Sequence, residues 1–147
     1  MSARSALNKL FTKRGRQLDI VTLLLSAVLL GGMTFFSFGF APVLFKQLPM
    51  AQVRPLLRGT FPYYYLVIIV LSALCAAAAL IKSGIPVALL AFICIAKVYA
   101  RQILMPQINA ATDRDDEATF KWLHTLSVAI QLAQLGLAGW ALVLLGS

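Results

Sequence analysis

The sequence predicts an all-α integral membrane protein, a four-helix bundle. Composition is the first ground. Of the 147 residues, 61% are apolar and 12% charged, against about 45–50% and about 25% in soluble domains. A soluble fold of ~150 residues buries only about 70% of its chain surface and could not hide so much apolar area. The same excess excludes disorder. The second ground is four apolar runs, at residues 20–41, 63–81, 86–105 and 122–145. Each is close to the ~20 residues that cross ~30 Å of hydrocarbon as a helix. The third is the prolines. Pro42, Pro49, Pro55, Pro62, Pro86 and Pro106 all fall at or between run ends, where a missing amide costs least.

Residues 1–19 form a basic tail with Arg4, Lys9, Lys13, Arg14 and Arg16 against Asp19. The four-helix transmembrane domain then occupies residues 20–147. The first run is ~33 Å long as a helix. It exceeds the ~7–15 apolar residues of a signal-peptide core, and cleavage after Ala41 would leave Pro42 at the new terminus. An uncleaved helix is expected. Residues 46–62 are mixed and broken by prolines, and Pro62 suits the first turn of the second helix. Lys82-Ser83-Gly84 makes a very short turn into the third run, with Pro86 in its first turn. Residues 106–121 are polar and hold Asp113, Asp115, Asp116 and Glu117. Thr112 or Asp113 is expected to cap the last helix, with a water-exposed lead-in of two turns supported by the Glu117–Lys121 spacing.

Basic residues set the expected orientation. The tail and Lys82 lie on one side, and Lys46, Arg54, Arg58, Arg114 and Lys121 on the other. The dense tail before the first helix favours both termini in the cytoplasm. The chain carries a formal charge of +8, and its basic tail reads as resting on anionic lipid at ~1 kcal/mol per basic residue, not as binding nucleic acid.

Within the runs, Gly31, Gly32, Gly136 and Gly139 are expected to pack helices together, or to form a seam with a second copy or another membrane protein. Cys75 and Cys94 lie in apolar runs and read as small packing residues. Lys97 and Arg101 are one turn apart and share a helix face. Two readings stay open for them: snorkelling to the headgroups, or an inward cationic site, since no span holds an acid to pair with them. His124, Ser127, Gln131 and Gln134 form one polar stripe on the last helix. Gln131 lies ~13 Å beyond Trp122 and Lys97 ~12 Å before Met105, so both sit at one depth. Tyr64, at the start of the second helix, belongs to the same leaflet, as do Thr34 and Ser37. The opposite leaflet holds little beyond Ser26 and Ser72. Tyr63, Tyr65, Tyr99, Trp122 and Trp140 are expected as interface anchors.

No phosphate loop, metal cluster or nucleophile–base–acid set occurs, so an enzyme is not the favoured reading. With His124 the lone histidine, a bis-histidine haem is not available within one chain. A single axial haem or metal ligand from His124 is the alternative.

Gly32-x-x-x-Phe36 leads into Ala41-Pro42-Val43-Leu44-Phe45-x-x-Leu48-Pro49. Phe61-Pro62-Tyr63-Tyr64 follows, then Arg101, Pro106 and Asn109, then Phe120-x-x-x-His124-x-x-Ser127. In order and spacing this set resembles the transmembrane protein 205-like family. The resemblance implies a small four-helix membrane domain of unknown activity and draws attention to Arg101, His124 and Ser127. Compact length and the basic tail point to a bacterial inner-membrane form. The expectation is a pocket open to one leaflet that binds an anionic lipid or small anion. Lys97 and Arg101 would supply charge, and Tyr64, His124, Ser127 and Gln131 hydrogen bonds. No cofactor is expected.

Overall fold

The structure is a computed structural model describing residues 3–80 and 84–147. Four helical rods among the described residues are long and apolar enough to cross a membrane. The first comprises α1 (Ala3–Thr34), a π-helical segment (Phe35–Phe40) and α2 (Ala41–Gln47). The second is α3 (Met50–Ala79). The third comprises α4 (Ile85–Tyr99), a second π-helical segment (Ala100–Leu104) and α5 (Met105–Asp113). The fourth is α6 (Glu117–Gly146). The protein is therefore an all-α integral membrane four-helix bundle. Its basic tail continues α1 from Ala3.

Around the bundle α1 packs on α3, α3 on α4, α4 on α6 and α6 on α1. The core between them includes Leu29, Met33, Ile68, Leu90, Ile93 and Ala138. Outward faces are equally apolar, with Leu24, Val28, Val67, Leu74, Ile95 and Val143 exposed. A soluble monomer rarely exposes such area, whereas lipid solvates it. Several hydroxyls in the rods turn back on their own helices: Thr22 donates to the Leu18 carbonyl at 2.8 Å and Ser72 to that of Ile68 at 2.7 Å. With no water in hydrocarbon, this is how a hydroxyl is satisfied there.

Two expectations about prolines change. Pro62 is not in a first turn, because α3 starts at Met50 and runs through both Pro55 and Pro62. The mixed segment is helical because Leu48 and Pro49, both extended, already make the corner. Pro42 and Pro106 each follow a π segment by two residues. The Ala41 amide bonds to the Phe36 carbonyl and the Met105 amide to that of Ala100. These five-residue steps widen the helix ahead of a proline that lacks an amide.

The last helix is capped by neither Thr112 nor Asp113, which end α5. Asp116 caps it, its carboxylate accepting from the Thr119 amide at 3.1 Å. Asp115, at φ +53°, turns the corner, a conformation that short polar side chains tolerate best. The lead-in before Trp122 is thus Glu117 to Lys121, shorter than two turns. Gly84 starts α4 at φ +84°, where a Cβ would be strained. Lys82 and Ser83 of the expected turn, and Ile81 before them, lie outside the described residues. The glycines also depart from expectation. A Cβ at Gly31, Gly32, Gly136 or Gly139 would meet no atom within 4 Å, so these glycines do not bring helices together within the bundle. Cys75 and Cys94 are free thiols.

Candidate functional site

α2 meets α3 and α5 meets α6 at one end of the bundle. A cavity of about 640 Å³ opens there. Phe36, Phe61, Leu104 and Phe120 line its walls, and Arg54, Arg58 and Asp113 lie at its mouth. Tyr64, Lys97, His124, Ser127 and Gln131 all line it, as does Ser37 from the first π segment.

Lys97 turns inward and does not snorkel. It is 2% exposed. Its ammonium donates to Gln131 Oε1 and lies 5.3 Å from the centre of the Tyr64 ring and 5.2 Å from that of Tyr65. Both rings are near enough for cation–π attraction. The opposite end of the Gln131 amide donates to Ser37 Oγ and to the Tyr64 hydroxyl, each at 2.9 Å. One amide thus ties three other rods: the first through Ser37, the second through Tyr64 and the third through Lys97. Phe36 stacks on Tyr64 at 3.8 Å between centroids and fixes that ring.

The chemistry of this floor is one-sided. Ser37 and Tyr64 both accept from Gln131, so each keeps an O–H to donate, and neither O–H finds an acceptor among the described residues. Lys97 forms no ion pair with a described carboxylate. The acids of the neighbouring corner are engaged at the mouth end: Asp113 on Arg58, Glu117 on Lys121 and Asp116 on the Thr119 amide. A group of donors without a negative partner complements an anion.

The remaining expected residues divide. His124 is exposed and stacks on Phe120 at 5.5 Å. Ser127 lies beside the Tyr65 hydroxyl. Gln134 continues the stripe but is fully buried, is not a lining residue, and has both side-chain polar atoms unpartnered. Arg101 does not join Lys97: it is outside the lining, half-buried, with an unpartnered Nε. Arg101 lies in the second π segment, Ala100–Leu104. Tyr65, expected as an interface anchor, instead faces Lys97 at 6% exposure, while Tyr63 is 73% exposed. The sequence reading also missed the bidentate pair of Arg58 and Asp113. Among the described residues, no group of three or more His, Cys, Asp or Glu side chains converges to hold a metal ion.

The family described as a domain of unknown function, DUF4149, matches residues 24–117. The chain belongs to the DUF4149 family. In this DUF4149 protein the matched stretch carries Ser37, Tyr64 and Lys97 and ends at the start of α6, so Gln131, Ser127 and His124 lie beyond it. No curated protein and no solved structure matches the chain.

Proposed function

We propose that this protein binds an anionic ligand, a lipid headgroup or a small anion, in the cavity between its four rods, and that it is not an enzyme. One observation carries the reading. The floor offers the Lys97 ammonium and the unclaimed Ser37 and Tyr64 hydroxyls, and among the described residues no carboxylate pairs with them. Lys97 supplies charge without the help of Arg101. Gln131 holds the donors in place, and His124 and Ser127 extend the polar wall. Membrane lipids are then the partners. The membrane is a bacterial inner membrane. Both termini are cytoplasmic, so the mouth opens to the external leaflet. The likeness to the transmembrane protein 205-like family accords with this reading. Phe120, His124 and Ser127, which carry part of that likeness, lie beyond the matched DUF4149 stretch and line the cavity.

Native mass spectrometry of the full chain, released from micelles with defined lipids, tests the proposal. Anionic lipids are expected to be retained over neutral ones of equal chain length, and Lys97→Gln to remove the preference. Equal retention of both classes, unchanged by that substitution, would overturn it.

A further inference from the structure

We propose that Arg54 and Arg58 form a phosphate-binding station at the mouth, and that Asp113 occupies it until a phosphate group displaces the carboxylate. The inference rests on the anion reading of the cavity and extends it from floor to entrance. Arg54 and Arg58 are one turn apart on α3 and share a face, and both line the cavity. Asp113 reaches the same place from the end of α5. Arg58 Nη1 donates to Asp113 Oδ1 at 2.7 Å and Nη2 to Oδ2 at 2.8 Å. This fork-to-fork geometry is the one a guanidinium offers to two oxygens of a phosphate. The carboxylate oxygens therefore mark where phosphate oxygens sit.

Two further features fit exchange over a fixed strap. The side chains of Arg58 and Asp113 are 50% and 53% exposed, so water screens the pair and holds it weakly. Arg54 forms no ion pair with a described residue, so one acid answers two cations at the mouth. A phosphate group, with more negative charge and more acceptor oxygens than a carboxylate, engages both arginines where Asp113 engages one.

The full chain in nanodiscs of neutral phosphatidylcholine is titrated with phosphatidic acid, and separately with inorganic phosphate. Native mass spectrometry reads bound lipid and calorimetry reads phosphate. Asp113→Asn vacates Arg58 and is expected to tighten phosphate binding about two- to fivefold, the worth of an exposed ion pair. Arg54→Gln with Arg58→Gln is expected to remove that gain. A gain for phosphatidic acid alone identifies the lipid headgroup as ligand, and a gain for both identifies phosphate in general. Unchanged or weaker binding by Asp113→Asn, which keeps the side-chain shape, makes the pair a mere strap and overturns the station. Lys97→Gln separates the two proposals. If it binds as wild type while Asp113→Asn gains, the floor reading falls and the station stands. If it loses binding while Asp113→Asn changes nothing, the reverse holds.

Discussion

Gln131 is the residue on which the floor depends. Its carbonyl accepts from a buried ammonium and its amide donates to two hydroxyls. Leaving a charged donor without an acceptor costs about 1.5–3 kcal/mol or more, so Gln131→Leu should destabilise the bundle by about 2–3 kcal/mol in denaturant unfolding from micelles. Gln131→Glu should behave differently. It gives Lys97 a carboxylate at the position of the present acceptor, so folding is kept while anion retention is lost. A destabilisation as large as that of the leucine variant would mean that the floor is not short of negative charge. Much of this site was legible in the sequence. The helical rise alone puts Lys97 and Gln131 at one depth, and Tyr64 follows from the leaflet that α3 enters. What was not legible depends on rotation about a helix axis. Three consecutive tyrosines fan around α3, and only packing decides that Tyr65 faces Lys97 while Tyr63 faces outward. The Arg58–Asp113 pair joins residues 55 positions apart and leaves no periodic signature in the sequence.

At the scale of elements, the apolar runs gave the four rods, but not their ends. Hydropathy reports what lies in lipid, and a helix does not stop where lipid does. Thus α3 continues through Pro55 and Pro62, and α5 reaches Asp113 before Asp116 starts α6. The π segments were equally hidden, because a proline shows that an amide is missing and not how the helix accommodates its loss. Asp116 makes the α6 boundary testable by pH. Its hydrogen bonds from Thr119 lower its pKa from the ordinary 3.8. A carboxylate acidified by folding stabilises the fold above its unfolded pKa, and that contribution is lost as pH falls through the lower, folded value. Amide exchange at Thr119, taken relative to its intrinsic rate, should therefore accelerate as pH drops below about 4. In Asp116→Ala that acceleration should be absent, with weaker protection already at neutral pH. Glycines on the rod faces give a second check. Gly31 and Gly136 have open space where a Cβ would stand, so replacing either by Ala should stabilise the bundle by about 0.5–1 kcal/mol through helix propensity alone. A loss in thermal unfolding would instead mark that face as covered by a second copy or another membrane protein.

For the whole molecule, the two ends of the bundle differ in kind. The tail end carries Lys13, Arg14 and Arg16 with Asp19 as its one acid, and the mouth end carries Asp113, Asp115, Asp116 and Glu117 among its basic residues. Topology follows lysine and arginine near the first spans, and acids contribute little, so the acidic corner does not oppose a tail held in the cytoplasm. It does change what the mouth presents. Arg58 and Lys121 are paired there with Asp113 and Glu117, which leaves Arg54 and the Lys97 floor as the unpaired cations along the cavity. The proposed orientation places that opening toward external-leaflet headgroups. Cysteine labelling in intact cells tests it with little background, since native Cys75 is buried and Cys94 half-buried. Asp115→Cys, at the exposed corner between α5 and α6, should react with a membrane-impermeant maleimide from outside. Ser147→Cys should react only after permeabilisation. The opposite pattern would turn the mouth to the cytoplasm. The cavity would then draw on the inner leaflet, where anionic lipid is abundant, and a cytoplasmic supply of phosphate would become the natural source for the station at Arg58.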